Sequence, residues 1–188
     1  MKNNSLINRS QSNLFVGSSF YHIMYVLTYL LFAHFLYNYL SNDLLKFLLH
    51  PIKIIVNGMT GVPFNYFSEY GYVQVDGLIT INKTCSGFIF LNVLIAIAYI
   101  ATRTVDFKKN TPFKNFYLSL LTVFSAYFIC LLSNSSRIIL GLKMQLFSIN
   151  HSWFPNNIAH EVMGVLYFFI FSILFFLLIQ KIRLSWNN

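Results

Sequence analysis

The stretch Ile158–Ile179, IAHEVMGVLYFFIFSILFFLLI, holds one charged residue, Glu161, in 22 positions. About 20 apolar residues wound as a helix cross the ~30 Å hydrocarbon core of a bilayer. Three further runs of this kind lie upstream. Phe20–Leu40 is interrupted only by the neutral polar groups of His22, Thr28, His34 and Asn38. Gly87–Thr102 is short and extends back through Thr84, Cys85 and Ser86, and the third run covers Phe116–Ser133. Over all 188 residues only 10% are charged and 56% are hydrophobic. A soluble domain carries about 25% charged residues. So little charge cannot cover a water-facing surface, and lipid must solvate much of the chain.

The formal net charge of +8 suggests nucleic acid at first sight, but the placement of the charges excludes it. Lys2, Arg9, Arg103, Lys108, Lys109, Lys114, Lys181 and Arg183 fall on one side of the four runs, with Asp106 as their only acid. Lys46, Lys53, Lys83, Arg137 and Lys143 fall on the other, with Asp43, Glu69, Asp76 and Glu161. The positive-inside rule counts Lys and Arg, and eight against five puts both termini in the cytoplasm. The first run reads as a retained helix, because it exceeds a signal-peptide core and no small-x-small site follows it near Asn38–Asp43.

The expected fold class is therefore an all-α integral membrane protein, one membrane domain over residues 1–188 with about four transmembrane helices. Their spans are 20–40, 84–102, 116–133 and 158–179, with an outer segment at 41–83 and a cytoplasmic loop at 103–115. Within the outer segment, Lys46, His50 and Lys53 share one helical face, which predicts an interfacial helix over 43–56, kinked at Pro51. Re-entry of that segment, or a helix extended over 134–149, would raise the count to five or six. Gly58, Gly61 and Pro63 read as loop. Tyr72–Val75 and Leu78–Ile81 flank Asp76–Gly77, predicting a β-hairpin at 72–81 whose second arm leads to Cys85.

Two cysteines are present, and their separation rules out a C-x-x-C redox pair. Cys130 lies within the third span, where a thiol packs as a small apolar group. Cys85 stands where the outer segment enters the second helix. A helix N-terminus lowers a thiol pKa and offers N–H groups to an oxyanion. By itself such a cysteine is more often structural. Arg137 closes the polar run Asn134–Ser135–Ser136–Arg137 at the end of the third span. A guanidinium so near hydrocarbon has either a task or a snorkelling role. His160 opens the fourth span, where an isolated imidazole is commonly an interfacial hydrogen-bonding group. Together these three residues sit near helix ends on one membrane face. A thiol, an imidazole and a fixed cation are what acyl transfer through a thioester requires. His160–Glu161 lacks the second His of a zinc-protease helix, and no His/Cys cluster has ligand spacing, so no metal or cofactor is expected.

The segments Thr84–Cys85–Ser86–Gly87–Phe88, Asn134–Ser135–Ser136–Arg137–Ile138 and His160–x–x–x–Gly164 resemble the exosortase/archaeosortase family. There Cys, Arg and His stand in this order on successive membrane helices. Lys83–Phe88 looks most like the small exosortase K type. The resemblance covers about Cys85 to Phe168, and larger members carry more helices. It implies a membrane cysteine protease or transpeptidase that cleaves a C-terminal sorting signal: a short motif, a membrane helix and a basic tail. It further implies Cys85 as nucleophile, His160 as general base and acid, and Arg137 as partner of the oxyanion or a substrate carboxyl. Asn134, Ser86 and Gly87 would support these groups. The competing readings are a non-enzymatic transport or assembly subunit with Arg137 and His160 along a polar pathway, and an acyltransferase that uses His160 without the thiol.

Overall fold

The computed structural model describes residues 3–75, 79–103, 112–149 and 156–187, and side chains at 20–75, 79–101, 113, 116–143 and 164–182. Five helices and a small sheet follow one another. They are α1 (Asn3–Tyr39), α2 (Lys46–Thr60), β1 (Phe64–Phe67), β2 (Gly71–Gln74), β3 (Thr80–Ile81), α3 (Phe88–Arg103), α4 (Pro112–Ile149) and α5 (Asn156–Asn187). A 3₁₀ turn at Lys83–Cys85 joins β3 to α3.

Among the described residues, four stretches are long and apolar enough to cross a membrane: Phe20–Tyr39, Lys83–Ala101, Phe116–Lys143 and Gly164–Ile182. They agree with the four runs expected from sequence, and α2 is not among them. The second is the most enclosed, because α3 packs against α1, α4 and α5. Polar pairs fix the α1–α3 contact. Tyr29 donates to Asn92 Oδ1, and His22 Nδ1 lies 3.2 Å from the Tyr99 hydroxyl. Large apolar groups such as Leu31, Phe32, Phe169 and Leu177 remain exposed on α1 and α5. Water would disfavour such a surface and hydrocarbon would not.

The third span does not end at Ser133. α4 continues through Asn134–Arg137 to Ile149, so the polar run lies inside a helix and its serines cap nothing. No Gly or Pro interrupts residues 113–140. Asn134 Nδ2 donates to its own i−4 carbonyl, Cys130 O, at 2.9 Å, a bond that leaves the helix intact.

α2 takes the place of the interfacial helix expected at 43–56 and runs past Gly58, which was read as loop. Its real stop is Gly61, which adopts φ +70° and donates its N–H to Asn57 O at 2.7 Å. Leu48, Leu49, Ile52 and Val56 are buried, whereas Lys46 and His50 are exposed. The helix continues through Pro51. Proline lacks the N–H that would bond the i−4 carbonyl, here that of Phe47. Tyr127 of α4 donates its hydroxyl to Phe47 O at 2.6 Å.

The sheet has the order β1-β2-β3, all antiparallel. The β2–β3 pairing, Tyr72 with Ile81 and Val73 with Thr80, is the hairpin expected at 72–81. Its turn residues 76–78 lie outside the described residues. Strand β1 was not expected; it pairs Phe64 with Gln74 and Phe67 with Gly71. The sheet rests on α2 through a core containing Leu45, Leu49, Ile52, Phe64, Tyr72 and Ile81. His50 Nδ1 lies 2.8 Å from the Tyr72 hydroxyl.

Candidate functional site

Cys85 ends the 3₁₀ turn, and α3 begins only at Phe88. The thiol is thus three residues short of the helix N-terminus that the sequence suggested would activate it. Between them, Gly87 takes φ +68°, a left-handed break that L side chains rarely adopt. Ser86 is buried, and from one position before the cap residue Gly87 its hydroxyl accepts the Phe88 N–H at 3.2 Å, which occupies one open donor of the α3 N-terminus.

The turn is held from several directions. Asn82 Oδ1 accepts the Thr84 N–H at 3.1 Å and the Thr84 hydroxyl at 2.7 Å. Asn42 Oδ1 accepts the Lys83 N–H at 2.8 Å. Tyr37 donates to Lys83 O at 3.1 Å, and Lys83 Nζ donates to Asn38 O at 3.1 Å while lying 4.6 Å from the Tyr37 ring centre. Cys85 itself is half-buried, with Sγ 3.9 Å from Thr84 Oγ1 and 3.9 Å from Thr80 O.

α4 closes on this turn through two residues. Cys130 is buried, and its thiol reaches Gly87 O at 3.4 Å, a carbonyl that already accepts the Leu91 N–H at 2.8 Å. The sequence reading treated Cys130 as plain packing and missed this contact. Asn134 is buried against Gly87, where no side chain could fit beside it. Asn134 Oδ1, Ser133 Oγ, Ser135 Oγ and Arg137 Nε are buried without hydrogen-bond partners among the described residues. Each such group costs about 1–3 kcal/mol when left unpaired, and the stretch 133–137 holds hydrogen-bonding capacity that the described residues do not use.

Arg137 lies one turn beyond Asn134. Its guanidinium carbon is 5.3 Å from the centre of the Phe168 ring, a cation–π contact. No carboxylate pairs with it among the described residues. A Cβ on Gly164 would sit 3.5 Å from Arg137 Cδ, so α5 passes directly over the arginine stem. Phe168 also stacks on Phe90 of α3, with centroids 4.4 Å apart. One aromatic ring therefore joins α3, α4 and α5. The sequence reading passed over Phe168 as a contributor. Its signal was the spacing, since positions 160, 164 and 168 recur every four residues and share one helix face.

Position 160 belongs to α5, one turn before Gly164 on the face that meets Arg137. The His160 side chain lies outside the described residues. The structure thus brings the Cys85 turn, Asn134, Arg137 and the 160–164–168 face of α5 into one connected set of contacts. Chemically, that set offers a thiol, a cation that no carboxylate pairs among the described residues, and buried polar atoms at one end of a helix bundle. Among the described residues no three His, Cys, Asp or Glu side chains cluster as metal ligands. No protein-family model matches the chain, and no curated protein or solved structure matches it either.

Proposed function

We propose that the chain is a membrane cysteine protease or transpeptidase of exosortase type, acting on exported proteins that end in a sorting-signal helix. The observation that carries this reading is that α4 meets the Cys85 turn through Asn134 and, one turn on, sets the Arg137 guanidinium against the face of α5 that bears position 160. The charge asymmetry of the flanking segments supports cytoplasmic termini and a reaction on the outer face of the cell membrane.

In the proposed reaction, Cys85 Sγ attacks the scissile carbonyl carbon, and a C–S bond forms as the C–N bond breaks. His160 takes the thiol proton and returns it to the departing amine. Arg137 faces the oxyanion, its forked N–H groups suited to a planar or tetrahedral oxygen. Water or an acceptor amine then resolves the thioester and regenerates the thiol. The substrate arrives laterally through lipid as a membrane helix and leaves its basic tail in the cytoplasm.

The test is a comparison of exported proteins in cells expressing the wild-type chain or Cys85→Ala, by mass spectrometry of protein C-termini. Proteins ending in an apolar helix and basic tail should accumulate uncleaved in the variant. Identical termini in both strains would reject the reading. The Ser133 and Ser135 hydroxyls, without partners among the described residues, favour a second reading, a polar pathway in a transport subunit. In that case Ser133→Ala with Ser135→Ala would impair growth or transport while Cys85→Ala would not.

A further inference from the structure

Strand β3 is an edge of the sheet, and its unpaired side faces the thiol. Gln74 N donates to Ile79 O at 2.9 Å. Along a strand the backbone groups alternate in direction. Ile79 and Ile81 therefore aim their N–H and C=O at β2, and Thr80 aims both of its own away from the sheet. The position of Thr80 O agrees with this, since it lies 3.9 Å from Cys85 Sγ. Thr80 is exposed, and no hydrogen bond to its N–H is formed among the described residues.

An N–H and a C=O of one residue, aimed the same way at an open edge, match the C=O and N–H of one residue in an extended peptide and little else. We propose that the substrate segment adds to β3 as a short fourth strand, one of its residues exchanging both backbone hydrogen bonds with Thr80. The proposal rests on the reading of Cys85 as nucleophile. A substrate N–H bonded to Thr80 O would lie about 2.9 Å from that oxygen. The carbonyl carbon of the same amide is bonded to that nitrogen at about 1.33 Å. A thiol already 3.9 Å from Thr80 O is then within reach of the scissile carbon. Recognition by the edge reads backbone shape and direction, so sequence selectivity must come from side-chain contacts on either side of it.

The full-length protein in lipid nanodiscs would be treated with two reagents carrying the same warhead, N,N-dimethylchloroacetamide and chloroacetyl-tri-alanine amide, whose chloroacetyl group stands at the scissile carbonyl and whose first alanine supplies the N–H and C=O that meet Thr80. Mass spectrometry would report the rate of modification at Cys85. In the wild-type chain the peptide reagent should react faster than the small one. Thr80→Pro removes the outward N–H together with the threonine side chain and holds Ile79 extended, a change that edge strands tolerate. It should cut the peptide's advantage, taken as the ratio of the two rates in the same variant, by about threefold to tenfold, the worth of one hydrogen bond. Thr80→Val, which keeps the N–H, should leave the advantage intact. N-methylation of the peptide at the docked amide should mimic Thr80→Pro on unaltered protein, which covers the case in which that variant misfolds. No peptide advantage in the wild-type chain, or an advantage that survives both Thr80→Pro and every N-methyl position, would overturn the docking alone. Reaction of N,N-dimethylchloroacetamide with Cys85 no faster than with free cysteine would instead reject the catalytic thiol, and the docking with it.

Discussion

The amide of Asn134 occupies the volume that a side chain at Gly87 would need: a Cβ there would lie 2.7 Å from Asn134 Cγ and nearer still to Nδ2. The turn bearing Cys85 and the helix bearing Arg137 meet at this point, so the two residues set the distance between thiol and cation.

Gly87→Ala should therefore destabilise the protein by about 2–5 kcal/mol, combining left-handed strain with overpacking. Asn134→Ala added to it should relieve the overlap and leave the φ penalty. The pair should be non-additive by about 0.5–3 kcal/mol. Thermal unfolding of the single and double variants in detergent checks this, and strict additivity would mean that the contact is not made.

Cys85→Ala should abolish processing. His160→Ala should lower it by about 10²–10⁴-fold, the usual worth of general acid–base catalysis. Cys130→Ala should cost only a few-fold by comparison (about 1 kcal/mol, one hydrogen bond), because Gly87 O keeps its bond from Leu91 N. The ratio of cleaved to uncleaved substrate measures all three. An inactive Cys130→Ala beside an active Cys85→Ala would transfer the nucleophile to the buried thiol.

Arg137→Lys should accumulate normally and lose most processing. A lysine stem would still lie beneath Gly164, but a point charge cannot reproduce the planar fork set against the Phe168 ring. Lys143→Arg, farther along α4, serves as control. Immunoblots of enzyme level beside substrate cleavage give the answer. Full activity in Arg137→Lys would reduce the residue to a helix anchor.

How much of this was legible in the sequence depends on which residues decide each element. The four spans were legible because hydrocarbon tolerates so few charges. The end of the third span was placed at Ser133, because Asn134–Arg137 looks like a polar terminus; the alternative of a helix extended over 134–149 matches α4, which reaches Ile149 without a break. Only the bond from Asn134 to Cys130 O reveals how a helix carries that run onward. Strand β1 was illegible for another reason. Phe64–Phe67 has no clear alternation, and it is a strand because β2 offers it a partner. Gly87 was visible as a glycine, but the left-handed break it makes depends on Asn134, 47 positions away. The free edge at Thr80 follows from register, which the Asp76–Gly77 turn signal does not encode.

The charge asymmetry predicts sidedness that labelling can read. Single cysteines at Lys109 and Ser152, in a chain lacking Cys85 and Cys130, should respond oppositely to an impermeant maleimide. Position 152 should react in intact cells and position 109 only after lysis. The reverse pattern would place the thiol turn in the cytoplasm and end the case for action on exported proteins.

Outside the spans, Asp43, Lys46 and Tyr66 form a small titrating group. Lys46 Nζ lies 2.8 Å from Asp43 Oδ1, and Tyr66 donates to the same oxygen at 2.8 Å. The bond from Lys46, then that from Tyr66, holds the Asp43 carboxyl below its ordinary range, while Asp43 raises the Lys46 ammonium. A lowered carboxyl pKa stabilises the fold above the unfolded value and loses that contribution as pH falls through the folded one. A raised ammonium pKa contributes below its unfolded value and is lost as pH rises through the folded one. The difference in melting temperature between wild type and Asp43→Asn should thus shrink on acidification below about pH 4. A difference that stays constant down to about pH 2 would show that Asp43 acts by shape and not by charge.

Pro51 turns a missing donor into an address. Along an ordinary helix each interior carbonyl is already taken, so a neighbouring hydroxyl has no reason to prefer one turn over the next. Here one carbonyl of α2, that of Phe47, stands open, and Tyr127 finds it at 2.6 Å. Tyr127 lies seven residues, two turns, ahead of Asn134 on α4. The helix beneath the sheet is thereby keyed by a single notch to the helix that bears the cation. A slip to the next turn would shift the Thr80 edge by about 5.4 Å against Arg137, farther than a thiol can reach to make up the gap.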